Sequence, residues 1–140
     1  MNEQVRDNES DSQQAAVIPV RRTDTQAIQV CLIRRKNSAK WGVPKGYIEH
    51  GDGKQAALDE AYEEAGLSGQ LIGESIGTYD YKKGDVTLTV IVFVMEVLEE
   101  QTVWREKKWR ERQWYSLEEV GERLKDHPVW PLFNRIRRVL

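Results

Sequence analysis

The feature that most constrains the fold is an apolar run, TLTVIVFVMEVL, from Thr87 to Leu98. β-Branched and aromatic residues dominate this run, and such residues favour a β-strand. Its centre lacks the regular alternation of apolar and polar residues that marks a strand with one face in water. We therefore predict a central strand that is buried on both faces. A sheet that contains such a strand needs a covering layer on each side.

The segments around this strand predict further strands of the same sheet. AAVIPV and IQVCLI flank a polar turn at Thr23-Asp-Thr25 and predict a hairpin. Another strand is expected from about Leu71 to Tyr81, and a shorter one from Gln113 to Tyr115. Trp41-Gly-Val-Pro-Lys-Gly is interrupted by glycine and proline, so it is predicted to be a loop or a very short strand.

Two helices and a last amphipathic segment complete the pattern. Lys54 to Ala65 is dominated by alanine, glutamate and leucine, and Gly66 follows where a left-handed C-terminal cap would lie. Ser116 and Glu119 have the spacing of a capping box, which predicts a second helix. The amphipathic segment follows His127-Pro128. The order β-β-α-β-β-β-α predicts the α/β (α+β) class, a layered sandwich around a mixed sheet.

Composition limits the kind of protein that this chain can be. The 140 residues fit one compact domain, which we place at 15–140, after a polar N-terminal stretch, 1–14, that is predicted to be a flexible tail. The net charge is −2, so composition does not favour a nucleic-acid partner. No apolar run approaches the roughly 20 residues of a membrane span. The one cysteine, Cys31, is predicted to be a core residue, and its lack of a partner favours a cytoplasmic location.

Three glutamates on the first predicted helix are the first indication of chemistry. Glu60, Glu63 and Glu64 are three and four positions apart, which places their carboxylates on one side of a helix. Like charges at this spacing repel each other and destabilise the helix. Clustered oxygen donors suit Mg²⁺ or Mn²⁺ better than zinc. From the glutamates alone, a solvated acidic face remains the alternative interpretation.

The residues around these glutamates favour the metal interpretation. Gly46 to Leu67 resembles the box motif of the Nudix hydrolase family, with Gly46 at its start and Gly66-Leu67 at its end. Glu60 matches the glutamate of the motif's Arg-Glu pair, and Glu63 and Glu64 match its Glu-Glu pair. The resemblance implies a Nudix-type α/β/α sandwich with the box helix on one face of the sheet and a C-terminal helix on the other.

The sequence departs from the family pattern at the first half of the box. Asp52 occupies the first acidic position, six residues rather than seven separate it from the Arg-Glu pair, and Asp59 replaces the arginine. Asp52 and Asp59 cannot form the ion pair that is common in the family. Asp52 is instead predicted to cap the N-terminus of the helix, a role worth about 1 kcal/mol.

The resemblance also implies a catalytic mechanism and its residues. Glu60 and Glu64, joined by the backbone carbonyl of Lys45, would bind the magnesium ion. Glu63 would bind a further metal ion or act as the base for the attacking water. Many family members use another glutamate from a downstream loop, and the sequence offers Glu99, Glu100 and Glu111 without a basis for choosing among them.

Basic residues near the box favour a phosphorylated small molecule as the substrate, and a basic strand end on the protein surface is the alternative interpretation of each residue. By resemblance to the diphosphoinositol polyphosphate and diadenosine polyphosphate phosphohydrolases, phosphates would be contacted by Arg34, Arg35, Lys36, Lys45 and Arg110. The shared features are Trp-Gly-Val-Pro-Lys-Gly, Glu-Glu-Ala-Gly, Met95-Glu-Val-Leu-Glu-Glu and Arg110-Glu-Arg-Gln-Trp114.

Two alternatives to this substrate class stay open at this point. The first is hydrolysis of a nucleoside triphosphate or of an RNA 5′ end, which the basic, tryptophan-rich run from Trp104 to Trp114 would permit. That run is equally explained by core tryptophans beside a solvated loop. The second is a nucleotide-sensing module without activity, against which the three retained glutamates argue.

Overall fold

The computed structural model describes residues 11–140, which form a single mixed sheet with helices on both faces. The elements of this part of the chain are, in order, β1 Gln14–Arg22, β2 Ile28–Arg35, β3 Lys45–Tyr47, α1 Gly53–Ala65, β4 Leu67–Leu71, β5 Gly77–Lys83, β6 Val86–Glu100, β7 Arg110–Ser116, α2 Leu117–Leu124 and a 3₁₀ helix Trp130–Arg138.

The predicted central strand is β6, and the structure confirms its burial on both faces. β6 pairs in parallel with β1 on one side and antiparallel with β4 and β5 on the other. Phe93 and Met95 belong to the core under α1, whereas Val92 and Val94 belong to the core on the opposite face. The main path of the sheet runs β4-β6-β1-β2-β7, and β3 pairs antiparallel with β1.

Each face of the sheet has its own helical cover, as the predicted sandwich requires. On one face α1 packs through the small side chains of Ala57, Ala61 and Ala65, which let the helix lie close to the sheet. On the other face α2 and the 3₁₀ helix bury a set of larger side chains, Val120, Leu124, Leu132, Phe133 and Ile136. The α/β/α prediction is therefore confirmed.

Several local predictions are confirmed by backbone geometry. β1 and β2 form the antiparallel hairpin expected around Thr23. Gly66 ends α1 in the left-handed region with φ of 67°. Ser116 and Glu119 form both hydrogen bonds of a capping box. Cys31 is fully buried in the core under α1.

Two predicted boundaries are wrong. The single strand expected from Leu71 to Tyr81 is two strands, β4 and β5, because the chain turns between them through Gly73 and Gly77, whose φ values are 67° and 137°. The predicted tail, 1–14, ends too late, because Gln14 is the first residue of β1 and the backbone N–H of Gln13 donates to Thr89 O. Residues 1–10 of that predicted tail lie outside the described part of the chain.

Candidate active site

A short loop connects β3 to α1 and sets the position of the helix. His50 and Gly51 adopt left-handed conformations in this loop, with φ of 58° and 72°. Asp52 follows as the N-cap, and its carboxylate accepts a hydrogen bond from the backbone N–H of Gln55 at 2.9 Å. The predicted capping role of Asp52 is therefore confirmed. A cap at this point sets the helical register, which brings the later glutamates back towards β3.

Glu60 lies directly against the backbone of Gly46 in β3. A Cβ atom built on Gly46 would lie 2.3 Å from both Cδ and Oε2 of Glu60. A side chain at this position would therefore have to displace the Glu60 carboxyl group. The motif residues Gly46 and Glu60, which are fourteen positions apart in the sequence, form one packed contact.

This contact predicts the effect of adding a single methyl group. Gly46→Ala is expected to push the Glu60 carboxylate aside and to lower turnover by about 100-fold, the order of loss that a misplacement of 1 Å can cause. The free energy of unfolding is expected to change by less than about 1 kcal/mol, because the displaced atoms are the far end of a flexible side chain. Steady-state assays of phosphate release and urea unfolding measure the two effects.

Gly53→Ala is the matched control, since its added Cβ would meet no atom closer than 3.5 Å. It is expected to retain activity within about threefold of the wild type, because nothing at the site has to move. Full activity in Gly46→Ala would show that the position of Glu60 does not matter for turnover.

Glu64 is the most buried acidic residue of the helix. Its Oε1 atom accepts a hydrogen bond from the backbone N–H of Lys45 at 3.2 Å, and its Oε2 atom lies 3.5 Å from Nη2 of Arg110. Burial raises the pKa of Glu64 to about 8; the positive charge of Arg110 opposes this rise and the negative charge of Glu60 adds to it. Burial also raises the pKa of Glu60, although its hydrogen-bonding contact with Glu64 opposes the rise. The site is therefore short of positive charge.

Glu63 pairs with a surface arginine. Its carboxylate forms an ion pair with Arg105 at 2.8 Å, and about one third of the Glu63 side chain is exposed. Of the three predicted glutamates, Glu64 is buried, whereas Glu60 and Glu63 are both partly exposed. The sequence pattern gave them a common side of the helix but no difference in burial.

A further acidic residue, Glu106, lies beside Glu60 and Glu64. Its negative charge raises the pKa of both Glu60 and Glu64, and its carboxylate binds Nε of Arg110 at 2.6 Å. Two of the candidates from sequence are engaged elsewhere: Glu100 with Arg21 and Glu111 with Arg34, each at 2.7 Å.

The third candidate, Glu99, lies opposite Ser68 at the end of β6. The signal that could have selected Glu106 is its place four residues before Arg110, the i,i+4 spacing of a local ion pair.

The loop from 101 to 109 is fastened to the end of α1, which explains how Glu106 reaches the site. The backbone N–H of Glu106 donates to Glu63 O, the indole N–H of Trp104 donates to Glu64 O, and Arg112 donates to Ala65 O. These contacts satisfy carbonyl groups that a helix end leaves without partners. A positive side chain near a helix C-terminus is also electrostatically favourable.

The same contacts account for most of the tryptophan-rich run. The guanidinium of Arg112 lies 4.2 Å from the ring centre of Trp104, and that of Arg21 lies 4.0 Å from the ring centre of Trp114. Only Trp109 of the three is strongly exposed, at 47%. Two of the three tryptophans are therefore committed to contacts within the protein.

The predicted phosphate-binding residues divide into two groups. Arg110 and the backbone N–H of Lys45 contact Glu64, while the Lys45 side chain donates to the hydroxyl of Tyr81 at 3.1 Å. Arg34 and Arg35 end the neighbouring strand β2 and Lys36 follows it; Arg35 lies opposite Arg110 in the sheet register. Arg35 and Lys36 are exposed. The structure thus places Arg35 next to Arg110, whereas Arg34 is paired with Glu111.

The residues at this site fit a hard divalent cation. Their available donors are carboxylate and backbone oxygens, the ligand type that Mg²⁺ prefers. A groove of about 360 Å³ runs along the same side of α1, and it is lined by Tyr47, Glu49, His50, Asp52, Gln55, Ala56, Asp59, Glu60 and Glu63. Among residues 11–140, no three acidic, histidine or cysteine side chains converge on a single point. Glu63 is turned to Arg105, and Glu64 is turned to Arg110.

Within the described chain, every helix is too short or too polar to cross a membrane.

Comparison with known proteins identifies the family of this chain. The family model of the NUDIX domain matches residues 11–134. Nudix hydrolase 4 of Arabidopsis thaliana is 35% identical over 102 residues, which are 71% of this chain. The matched region is 49% of the length of that protein, so the chain spans about half of the relative that it matches.

Solved structures share the fold at low sequence identity. The Ap4A hydrolase binary complex of C. elegans has a TM-score of 0.73 at 21% identity and covers 89% of this chain and 94% of its own. The Bacillus subtilis pyrophosphohydrolase BsRppH has a TM-score of 0.70 at 14% identity and covers 91% of this chain and 82% of its own. With the family model matching nearly all of the described residues, and with the box glutamates gathered between β3 and α1, this chain belongs to the Nudix hydrolase family.

Proposed function

We propose that this protein is a magnesium-dependent pyrophosphohydrolase, and that Mn²⁺ can replace Mg²⁺. The observation that carries the proposal is the contact between the carboxyl groups of Glu60 and buried Glu64, which are held against Gly46 and the Lys45 amide with too little positive charge to balance them. Burying two carboxylates side by side is costly unless a cation is bound there. A divalent cation beside a polyphosphate would supply the missing charge.

The glutamates of the site are proposed to have two different roles, as metal ligands and as general base. Glu60, Glu64 and the backbone carbonyl of Lys45 would hold the cation, and Glu106 is a further candidate ligand in place of the three that sequence suggested. A bound Mg²⁺ polarises a phosphoryl oxygen and offsets the negative charge that develops there. Glu63 is accessible to solvent and is the proposed general base.

The proposed reaction is hydrolysis of a P–O–P bridge. A water oxygen forms a bond to one phosphorus atom, and Glu63 accepts the proton that the water loses. The bond from that phosphorus to the bridging oxygen breaks, and the leaving phosphate departs with the electron pair. Arg35, Lys36 and the Lys45 side chain are proposed to bind the remaining phosphates, since cations at the site stabilise phosphoryl charge.

The favoured substrates are dinucleoside polyphosphates or diphosphoinositol polyphosphates. Support comes from the box and its flanking motifs, from the basic end of β2, and from the structural likeness to an Ap4A hydrolase. The proposed compartment is the cytoplasm, because Cys31 is buried in the core and the described residues contain no disulfide.

Hydrolysis of nucleoside triphosphates or RNA 5′ ends is the second candidate function. The likeness to the pyrophosphohydrolase BsRppH and the exposed ring of Trp109 favour it. The net charge of −2 and the engagement of Trp104 and Trp114 within the fold offer no extended track for an RNA backbone. A sensing module without activity is the third, and the retained box glutamates argue against it.

A substrate panel with Mg²⁺ tests these alternatives. Phosphate and pyrophosphate release should be measured for dinucleoside polyphosphates, a diphosphoinositol polyphosphate, nucleoside triphosphates and triphosphorylated RNA, each with and without EDTA. We expect release that EDTA abolishes, with kcat/KM largest for one of the first two classes. Binding of a nucleotide without any release would support the sensing module instead.

A further inference from the structure

Arg110 occupies the position where the proposed cation site needs positive charge. Its Nε atom lies 2.6 Å from Oε1 of Glu106, and its Nη2 atom lies 3.5 Å from Oε2 of Glu64. The side chains of Arg110, Glu64 and Glu106 are only 17%, 10% and 22% exposed. By contrast, the side chain of Arg105, which pairs with Glu63, is 73% exposed. Arg110 is therefore an internal cation among carboxylates, and Arg105 is a surface one.

The hydrogen bonds of Glu64 show why Arg110 and a metal ion would compete. Oε1 of Glu64 already accepts the Lys45 N–H, so Oε2 is its more open atom for another partner. That same atom faces Arg110. Two positive charges at one carboxylate oxygen in a poorly hydrated site repel each other strongly. A divalent ion that binds Glu64 through Oε2 has to displace the guanidinium.

The backbone around Arg110 is held by hydrogen bonds that do not involve its side chain. Residues 106 to 110 form a tight turn in which the backbone N–H of Arg110 donates to Glu106 O at 3.0 Å. Arg110 begins β7 opposite Arg35, and the backbone N–H of Lys36 donates to Trp109 O. A rotation of the Arg110 side chain away from Glu64 would leave these bonds intact, and Arg35 is its neighbour across the sheet.

We propose that Arg110 is an exchangeable counter-ion. It pairs with Glu106 and lies against the carboxyl group of Glu64 while no metal is bound, the divalent cation displaces it, and the freed guanidinium joins Arg35 and Lys36 in binding a substrate phosphate. This inference rests on the proposed function. The sequence predicts that Arg110 contacts phosphate, whereas in the structure it contacts carboxylates. The exchange accounts for both.

The direction in which the Kd for Mn²⁺ changes when Arg110 is replaced separates this role from a purely structural one. Mn²⁺ alone is titrated into the full chain, and the free ion is followed by electron paramagnetic resonance. Arg110→Gln is expected to lower the Kd for Mn²⁺ about tenfold, because the competing charge is gone, a coupling of ordinary size between two sites. It is also expected to raise KM for the substrate at least about tenfold, because a charged hydrogen bond to phosphate is lost.

Two further variants complete the test. Arg105→Gln is the control and is expected to change the Kd for Mn²⁺ by less than about twofold, since exposed ion pairs are screened. Arg110→Lys restores a charge without the planar fork and is expected to return the Kd towards the wild-type value. It also guards against misfolding as the cause of any change in Arg110→Gln, and circular dichroism checks the fold of each variant.

The possible failures are distinguishable. If the wild type binds Mn²⁺ in a manner that Glu64→Gln abolishes, but Arg110→Gln binds it equally or more weakly, Arg110 supports the site and the exchange is wrong. If the wild type and Glu64→Gln bind Mn²⁺ identically, the proposed metal site itself is wrong and the exchange falls with it.

Discussion

Glu64→Gln is expected to lower kcat by about 1,000-fold or more, with little change in the fold. The substitution keeps the size of the side chain and an oxygen that can accept the Lys45 N–H, but it removes the charge that would hold the cation. Loss of one group from a metal or base constellation commonly costs several orders of magnitude in rate. Steady-state turnover with saturating Mg²⁺ measures this loss, and far-UV circular dichroism checks the fold.

Glu63→Gln is expected to show a loss of similar order for a different reason, because the proposed proton acceptor is gone while Glu60 and Glu64 remain. Raising the pH should therefore recover part of the activity of Glu63→Gln, as hydroxide replaces the base, but not that of Glu64→Gln. Glu99→Gln is the matched control, since Glu99 is an exposed residue at the end of β6 that faces Ser68. Turnover in Glu64→Gln within tenfold of the control would contradict the assignment.

The metal-free protein is expected to lose stability as the pH rises from about 5 to 8. The folded-state pKa of Glu64 is raised to about 8, whereas its value in the unfolded chain is near 4.5. Between these values the folded protein keeps a proton that the unfolded chain has released, so a rise in pH favours unfolding. The stability is fully present below the unfolded pKa and is lost as the pH passes through the folded one. We expect a loss of roughly 2 to 4 kcal/mol in the free energy of unfolding.

The difference between wild type and Glu64→Gln isolates this contribution from other titrating groups. Urea unfolding in EDTA across pH 5 to 9 gives the two free energies of unfolding. The free energy of unfolding of the wild type should fall relative to that of Glu64→Gln up to pH 8. Above pH 8 the difference between the two should stay constant. Saturating Mg²⁺ at pH 8 should restore the wild type only, since a ligand stabilises the state that binds it. Parallel curves throughout would show that Glu64 ionises normally in the fold.

The elements that could be predicted from the sequence are those determined by residues close together in the chain. The apolar centre of β6 fixes a strand buried on both faces whatever its neighbours are. The caps at Asp52, Gly66 and Ser116 depend on hydrogen bonds and backbone conformations within a few residues. The side of α1 that carries Glu60, Glu63 and Glu64 follows from helical spacing alone.

What the sequence could not provide depends on contacts between distant residues. Glu106 reaches the box because its loop is hydrogen-bonded to the carbonyl groups at the end of α1. No local sequence pattern predicts that the loop packs there. The division between buried Glu64 and accessible Glu63 depends on how the loop covers the helix. The break between β4 and β5 was missed because a turn through Gly73 and Gly77 leaves both strands paired with β6.

Anomalous diffraction from crystals soaked with Mn²⁺ and a non-hydrolysable diphosphate analogue locates the proposed cation site. We expect a manganese peak bonded to carboxylate oxygens of Glu60 and Glu64 beside Gly46, with an oxygen of the analogue in its coordination shell. A peak elsewhere, or density for the analogue with the Glu64 carboxylate still turned to Arg110, would refute this assignment.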